Sequence, residues 1–168
     1  LELDPTLEHA REMLEECAAK AAASPSSSTS GGGRSKPLSE EKIEELYQAA
    51  EAAMEAHDYQ KALKLYTFAI SKAPELDAEL HRGRAAALVN LERFDEALAD
   101  ADLAVAIAPY SSYAHFARGS VLCSISKYTG ANRWEEAKAA YAKALELDPG
   151  HASARIAFEA CAIKARAA

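Results

Sequence analysis

Histidine, cysteine and carboxylate are the side chains here that could bind a metal, attack a carbonyl or move a proton. Their spacing decides whether that chemistry is available. His9, His57, His81, His115 and His151 are scattered, and no two share a helical stretch at ligand spacing. His81 and His115 hold equivalent places in successive stretches, but no Cys or carboxylate cluster completes a metal site around them. Cys17, Cys123 and Cys161 lie far apart on helical patterns. An odd number of spread thiols reads as reduced cysteine, so a cytoplasmic or nuclear setting is expected. There is no phosphate-cradling glycine loop, no nucleophile elbow and no Cys–His arrangement with a third orienting group. Arg82, Arg84 and Arg93 form a small basic group that reads as surface ion pairs rather than an anion site. The many Asp and Glu side chains fall on solvated helix faces. The expectation is a non-enzyme with no catalytic residue, no metal and no cofactor.

The elements that carry these residues are helices. Apolar residues make up 49% of the 168, Ala is frequent, and Val, Ile and Thr are few. That balance favours helix over strand. No apolar run is long enough to span a membrane and none resembles a signal peptide, so no membrane insertion is expected. The net charge of −7 argues against nucleic acid as the main partner. The chain begins at Leu1 rather than Met and reads as part of a longer polypeptide.

One pattern recurs. Tyr59, Ala62, Ala69 and Pro74 return as Phe94, Ala97, Ala104 and Pro109, then as Trp134, Ala137, Ala144 and Pro149. Each copy is an aromatic residue, Ala three on, Ala seven further, and Pro five beyond. The Pro-to-Pro spacings are 35 and 40 residues. A period of this size with helical composition predicts stacked helix pairs. Small residues at Ala62, Ala97 and Ala137 let the two helices of a pair approach. Ala69, Ala104 and Ala144 let the next pair stack, and the prolines stop each second helix.

Seven body helices follow, at about 40–56, 59–72, 78–91, 94–106, from 112, 134–146 and 152–166. Ser39 is the expected N-cap of the first. Ahead of them, residues 1–23 read as an amphipathic helix with an apolar stripe of Leu3, Leu7, Ala10, Leu14, Cys17 and Ala21. Residues 24–37 read as a flexible Ser/Gly linker of 14 residues, with a span of about 21 Å. Whether that linker is natural or an engineered junction is open at this stage. The opening Leu1-Glu-Leu-Asp-Pro5 copies Leu145-Glu-Leu-Asp-Pro149. Residues 1–23 therefore read as the end of an upstream repeat array, or as a helix docking on its own body or on a neighbour.

The recurring residues, with Gly119 and Leu122, resemble the tetratricopeptide repeat family over about three quarters of the chain. The resemblance implies an all-α fold, a right-handed α-solenoid. Its three helix pairs would lie at about 43–76, 78–111 and 112–151, with a capping helix at 152–166, in a domain spanning 38–168. It also implies a concave groove lined by the first helix of each pair that binds peptides or partner domains. One departure is an insertion of about six residues, within Ser126 to Arg133, between the helices of the third pair. It reads as a tolerated edge loop or as an auxiliary contact centred on Tyr128. A second departure concerns the co-chaperone branch, which clamps acidic carboxyl-terminal tails with Lys, Asn and Arg. The matching positions here are Tyr47, Glu51, Gly83, Tyr113 and Ala117, and none is a clamp residue.

By register, the groove offers Tyr47, Glu51 and Met54 from the first pair, and Arg82 and Asn90 from the second. The third offers Tyr113, Phe116 and Ser120, and the last helix Ile156 and Lys164. The plainer reading of Tyr47, Tyr113 and Phe116 is packing between helices. Residues 39–58 hold seven acidic side chains and one basic one, so one groove end is acidic and the other apolar and mildly basic. That suits an amphipathic or basic peptide better than an acidic tail. The expected function is a protein–protein adaptor. The alternatives are a scaffold that self-associates through the amino-terminal helix, and a regulatory or targeting domain of a larger enzyme or co-chaperone.

Overall fold

The computed structural model describes residues 37–73 and 75–167. The expectations for the amino-terminal helix, for the linker up to residue 36 and for Pro74 as a terminator lie outside the described residues. Seven helices occupy the described part: α1 Glu40–Glu55, α2 Tyr59–Lys72, α3 Ala78–Asn90, α4 Phe94–Ile107, α5 Ser112–Thr129, α6 Trp134–Leu147 and α7 Ala152–Ala167. No strand forms among the described residues.

Local chemistry sets the helix starts. Asp58, Asp77 and Ser111 accept hydrogen bonds from the amides of Lys61, Glu79 and Ala114 at 3.1, 2.8 and 3.3 Å. Each satisfies a first-turn amide that has no partner inside its helix. Ser39 differs from expectation. Its carbonyl accepts the Ile43 amide, but its hydroxyl makes no capping bond. Glu40 and Glu41 favour that end through the helix dipole instead. Helices α4 and α6 start after Arg93 and Arg133, whose guanidinium forks grip Glu96 and Glu136 one turn on. The turns inside the first two pairs match. His57 and Glu92 both take φ +59°, and the next amide reaches back to Ala53 or Leu88 at 2.8 or 2.9 Å.

The third pair departs from this plan, and the first half of the expected edge loop, residues 126–129, is helix. Helix α5 runs on through Thr129 and stops at left-handed Gly130. The extra turn carries Tyr128 over the preceding pair, where its ring stacks on Phe94 at 5.9 Å and 12°. The inserted residues thus continue a helix whose end finds an aromatic support within its own chain.

The helices stack as an α-solenoid. Neighbours in sequence pack together, and each first helix also touches the first helix of the next pair, α1 on α3, α3 on α5 and α5 on α7. The second helices α2, α4 and α6 do not touch one another. First helices crowd on one side while second helices spread on the other, which makes the first-helix side the inside of the curve. The core divides accordingly into three clusters, around Tyr66, around Ala101 and Val121, and around Tyr141. Ala62, Ala69, Ala97, Ala104, Ala137 and Ala144 are all fully buried at the closest approaches.

The closest approach between pairs is at Gly83. A Cβ there would lie 2.5 Å from the Tyr66 ring, which is itself fully buried and has no room to withdraw. Gly119 meets Tyr141 in the same manner at 2.7 Å. Helix propensity alone would make Gly83→Ala stabilising by about 1 kcal/mol. Overpacking costs about 1–3 kcal/mol. We expect a net loss in urea denaturation; a gain in the midpoint would show that the Tyr66–Gly83 contact is not tight.

Candidate partner-binding face

On the inner face, the predicted residues fall into two networks. The first joins α1, α2 and α3. Arg82 holds Glu79 at 2.6 and 2.9 Å and donates to the Tyr47 hydroxyl at 3.1 Å. Tyr47 meets the Tyr66 ring edge-on at 6.1 Å, and the Tyr66 hydroxyl donates to Glu51. Met54 packs against the same cluster. Burial, then the bond to Glu51, pushes the Tyr66 hydroxyl far above its ordinary pKa. Burial pulls Arg82 down, but Glu79 more than restores it and keeps it charged.

The second network joins α5, α6 and α7. Phe116 lies 5.6 Å from Tyr141 and 4.9 Å from the His151 ring, and Tyr113 covers His151 at 4.8 Å. Ser120 donates to the Phe116 carbonyl and accepts from the Tyr141 hydroxyl at 3.3 Å. Phe116 is half-buried between helices, whereas Tyr113 keeps 57% of its surface exposed. The remaining predicted residues join neither network. Asn90 turns back onto the Ala86 carbonyl at 2.9 Å, and Ile156 and Lys164 stand exposed on α7.

The three arginines read as one basic group have separate carboxylate partners. Arg82 holds Glu79, Arg93 holds Glu96, and Arg84 makes a forked pair with Asp100 at 2.6 and 2.7 Å. Asp100 also corrects the expectation that the carboxylates are solvated, because it is buried and accepts a further bond from His81 Nδ1 at 3.1 Å. His115 lies apart from this pair and donates to the Pro109 carbonyl at 2.9 Å. Nor are all the cysteines far apart: Cys123 Sγ and Cys161 Sγ approach to 2.7 Å. Tyr66 and Tyr141 are functional neighbours absent from the predicted face, although each follows the first signature Ala by four residues. No comparable signal marks Asp100.

Residues 47–112 match the family model described as tetratricopeptide repeat. The first tetratricopeptide domain of Spaghetti (RPAP3), solved bound to an HSP90 peptide, superposes with a TM-score of 0.66 at 26% identity. The match covers 78% of this chain and 98% of that one. The chain belongs to the tetratricopeptide repeat family. The Sgt2 domain from Aspergillus fumigatus is similar to it at 29% identity with a TM-score of 0.66, over 79% of this chain and 84% of that one. Heat shock protein STI1 of Saccharomyces cerevisiae is 34% identical over 112 residues, or 67% of this chain, and the match covers only 18% of STI1. The repeats therefore resemble the interaction modules of co-chaperones.

Among the described residues no group of three or more His, Cys, Asp or Glu is arranged to hold a metal ion. None of the described helices is long and apolar enough to cross a membrane. The buried polar chemistry that these repeats do contain is structural. Burial would raise the Asp100 pKa, but its bonds to Arg84 and His81 outweigh that and hold it below the ordinary 3.8. A carboxylate with a depressed folded-state pKa adds stability above its unfolded value, and that stability is lost as pH falls through the folded value. Burial also depresses His115 below 6.5, so its protonation disfavours the fold as pH falls. Asp100→Asn is expected to cost about 3–5 kcal/mol near neutral pH by stranding Arg84. It should also flatten the acid limb of the stability curve below the ordinary carboxylate pKa. Denaturation at several pH values checks both; a parallel curve displaced by under 1 kcal/mol would remove Asp100 from this role.

Proposed function

We propose that the inner face of α1, α3, α5 and α7 holds a peptide or helix from another protein, and that the chain is a non-catalytic adaptor. The observation that carries this reading is the crowding of first helices on one side, with Tyr47 on α1 and Tyr113 on α5. Large amphipathic rings on a preformed surface are the residues that most often anchor a partner.

The charge on this face favours a basic or amphipathic segment. Arg82, the arginine of the predicted face, already holds the Glu79 carboxylate. An incoming acidic tail would have to break that pair to gain its own. The clamp positions Tyr47, Glu51, Gly83, Tyr113 and Ala117 supply no cation. The peptide seen with Spaghetti, SRMEEVD, is rich in carboxylates. Here the amino-terminal edge has a hollow of about 590 Å³ lined by Glu40, Glu44, Glu75 and Asp77 beside Ile43 and Leu76. Acidic rims with apolar floors suit lysine- or arginine-bearing amphipathic segments.

Fluorescence anisotropy with two labelled peptides tests this, one a basic amphipathic helix and the other SRMEEVD. The basic peptide should bind more tightly. Tyr47→Ala with Tyr113→Ala should weaken it by about 2 kcal/mol or more, roughly thirtyfold in Kd. Preference for SRMEEVD, or unchanged binding by the double variant, would sink the groove assignment.

A scaffold role has its own support in α7, where Ile156 and Ile163 are 70% and 68% exposed. Such a face is where a further repeat or second copy would stack. Under this reading Ile156→Glu with Ile163→Glu should lower the mass measured by light scattering; the same mass in both proteins would discard it.

A further inference from the structure

We propose that Cys123 and Cys161 are an oxidant-responsive thiol pair whose disulfide ties the capping helix α7 to α5. The two sulfurs belong to helices from different units, 38 residues apart in the chain, yet lie 2.7 Å apart as free thiols. A bonded disulfide has an S–S distance of about 2.05 Å, so closure needs a movement of roughly 0.7 Å.

The two thiols have unequal access, and that sets the order of events. Cys161 is 2% exposed, whereas Cys123 is half-buried on the inner side of α5, one residue before Ser124 and three after Ser120. Burial and the neighbouring sulfur push Cys161 up to about 12, which keeps it a thiol. The first reaction therefore falls to Cys123. Its thiolate attacks one oxygen of a peroxide, the O–O bond breaks, and sulfenic acid and hydroxide form. The Cys161 sulfur then displaces that oxygen. An S–S bond forms and the S–O bond breaks. The oxygen leaves as water, with the Cys161 proton taken up by the hydroxide or the leaving oxygen. In total two thiols and one peroxide become one disulfide and two waters.

The consequence lies at the end of the array. Helix α7 is held by α6 and only lightly by α5. Cys161 belongs to the cluster of Leu122, Ala137 and Tyr141 that this helix covers. A covalent link there would fix the far wall of the inner face without adding bulk to it. This is independent of which partner, if any, that face holds.

The test uses the full chain and hydrogen peroxide, followed by alkylation of remaining thiols and peptide mapping. The native chain should lose two alkylatable thiols and 2 Da, yield a Cys123–Cys161 linked peptide, and leave Cys17 alkylatable. Its thermal midpoint should rise by several degrees and fall back on adding a reductant. Cys161→Ala should instead gain one oxygen at Cys123 with no rise in the midpoint. Should that variant fail to fold, Cys123→Ser serves: Cys161 should then stay alkylatable at the same peroxide dose. Oxygen addition at Cys123 in the native chain without a link, or links formed chiefly through Cys17, would overturn the proposal.

Discussion

Close approach of helices governs this molecule. A solenoid of short helices has no central core, so each pair must bury its apolar face on the next within the reach of one side chain. That demands small residues at the crossing points and one large residue to fill what remains. Tyr66 against Gly83 meets the demand between the first two pairs, and Tyr141 against Gly119 repeats the same pairing of a large ring and an absent side chain within the third. Six buried alanines do so within and between the pairs. Dispersion falls off steeply with separation, so a gap of even a methyl group would lose much of the contact.

The same constraint organises the polar groups. Tyr66 fills space with its ring, which leaves its hydroxyl at the inner face, where Glu51 takes it. Tyr141 does the same with Ser120. Close-packed helices also enclose Asp100, and burial of a carboxylate is tolerable only with the forked Arg84 and His81 upon it. These networks draw in several side chains that register alone would assign to a partner. Arg82 bonds to Tyr47 and Glu79, and Glu51 takes the Tyr66 hydroxyl, so this part of the inner face is preorganised. Preorganisation lowers the entropy that binding must overcome.

Helix existence, helix ends and the repeat period were legible from the chain, because each depends on neighbours within a few residues. The alanines of the signature mark the crossings; the cap expected at Ser39 makes no side-chain bond, and the caps that do form are Asp58, Asp77 and Ser111. Of the residues read onto the inner face by register, Arg82 bonds to Tyr47 and Tyr113 stays exposed, while the Asn90 amide turns to its own helix carbonyl. Of the inserted stretch, residues 130–133 form a loop, as its length suggests, whereas residues 126–129 prolong the helix on a support, the Phe94 ring of another pair, that sequence does not display.

Sequence by itself determined a helical repeat body of period 35 to 40 with an acidic first pair. Tertiary structure alone decided which distant groups would meet: Arg84 with Asp100 across 16 residues, Tyr66 with Glu51 across 15, Cys123 with Cys161 across 38. The division has a physical cause. Backbone hydrogen bonding and capping are settled within a turn or two of helix. Contacts between pairs depend on how far each helix can advance before side chains collide, and that distance is set by both partners together.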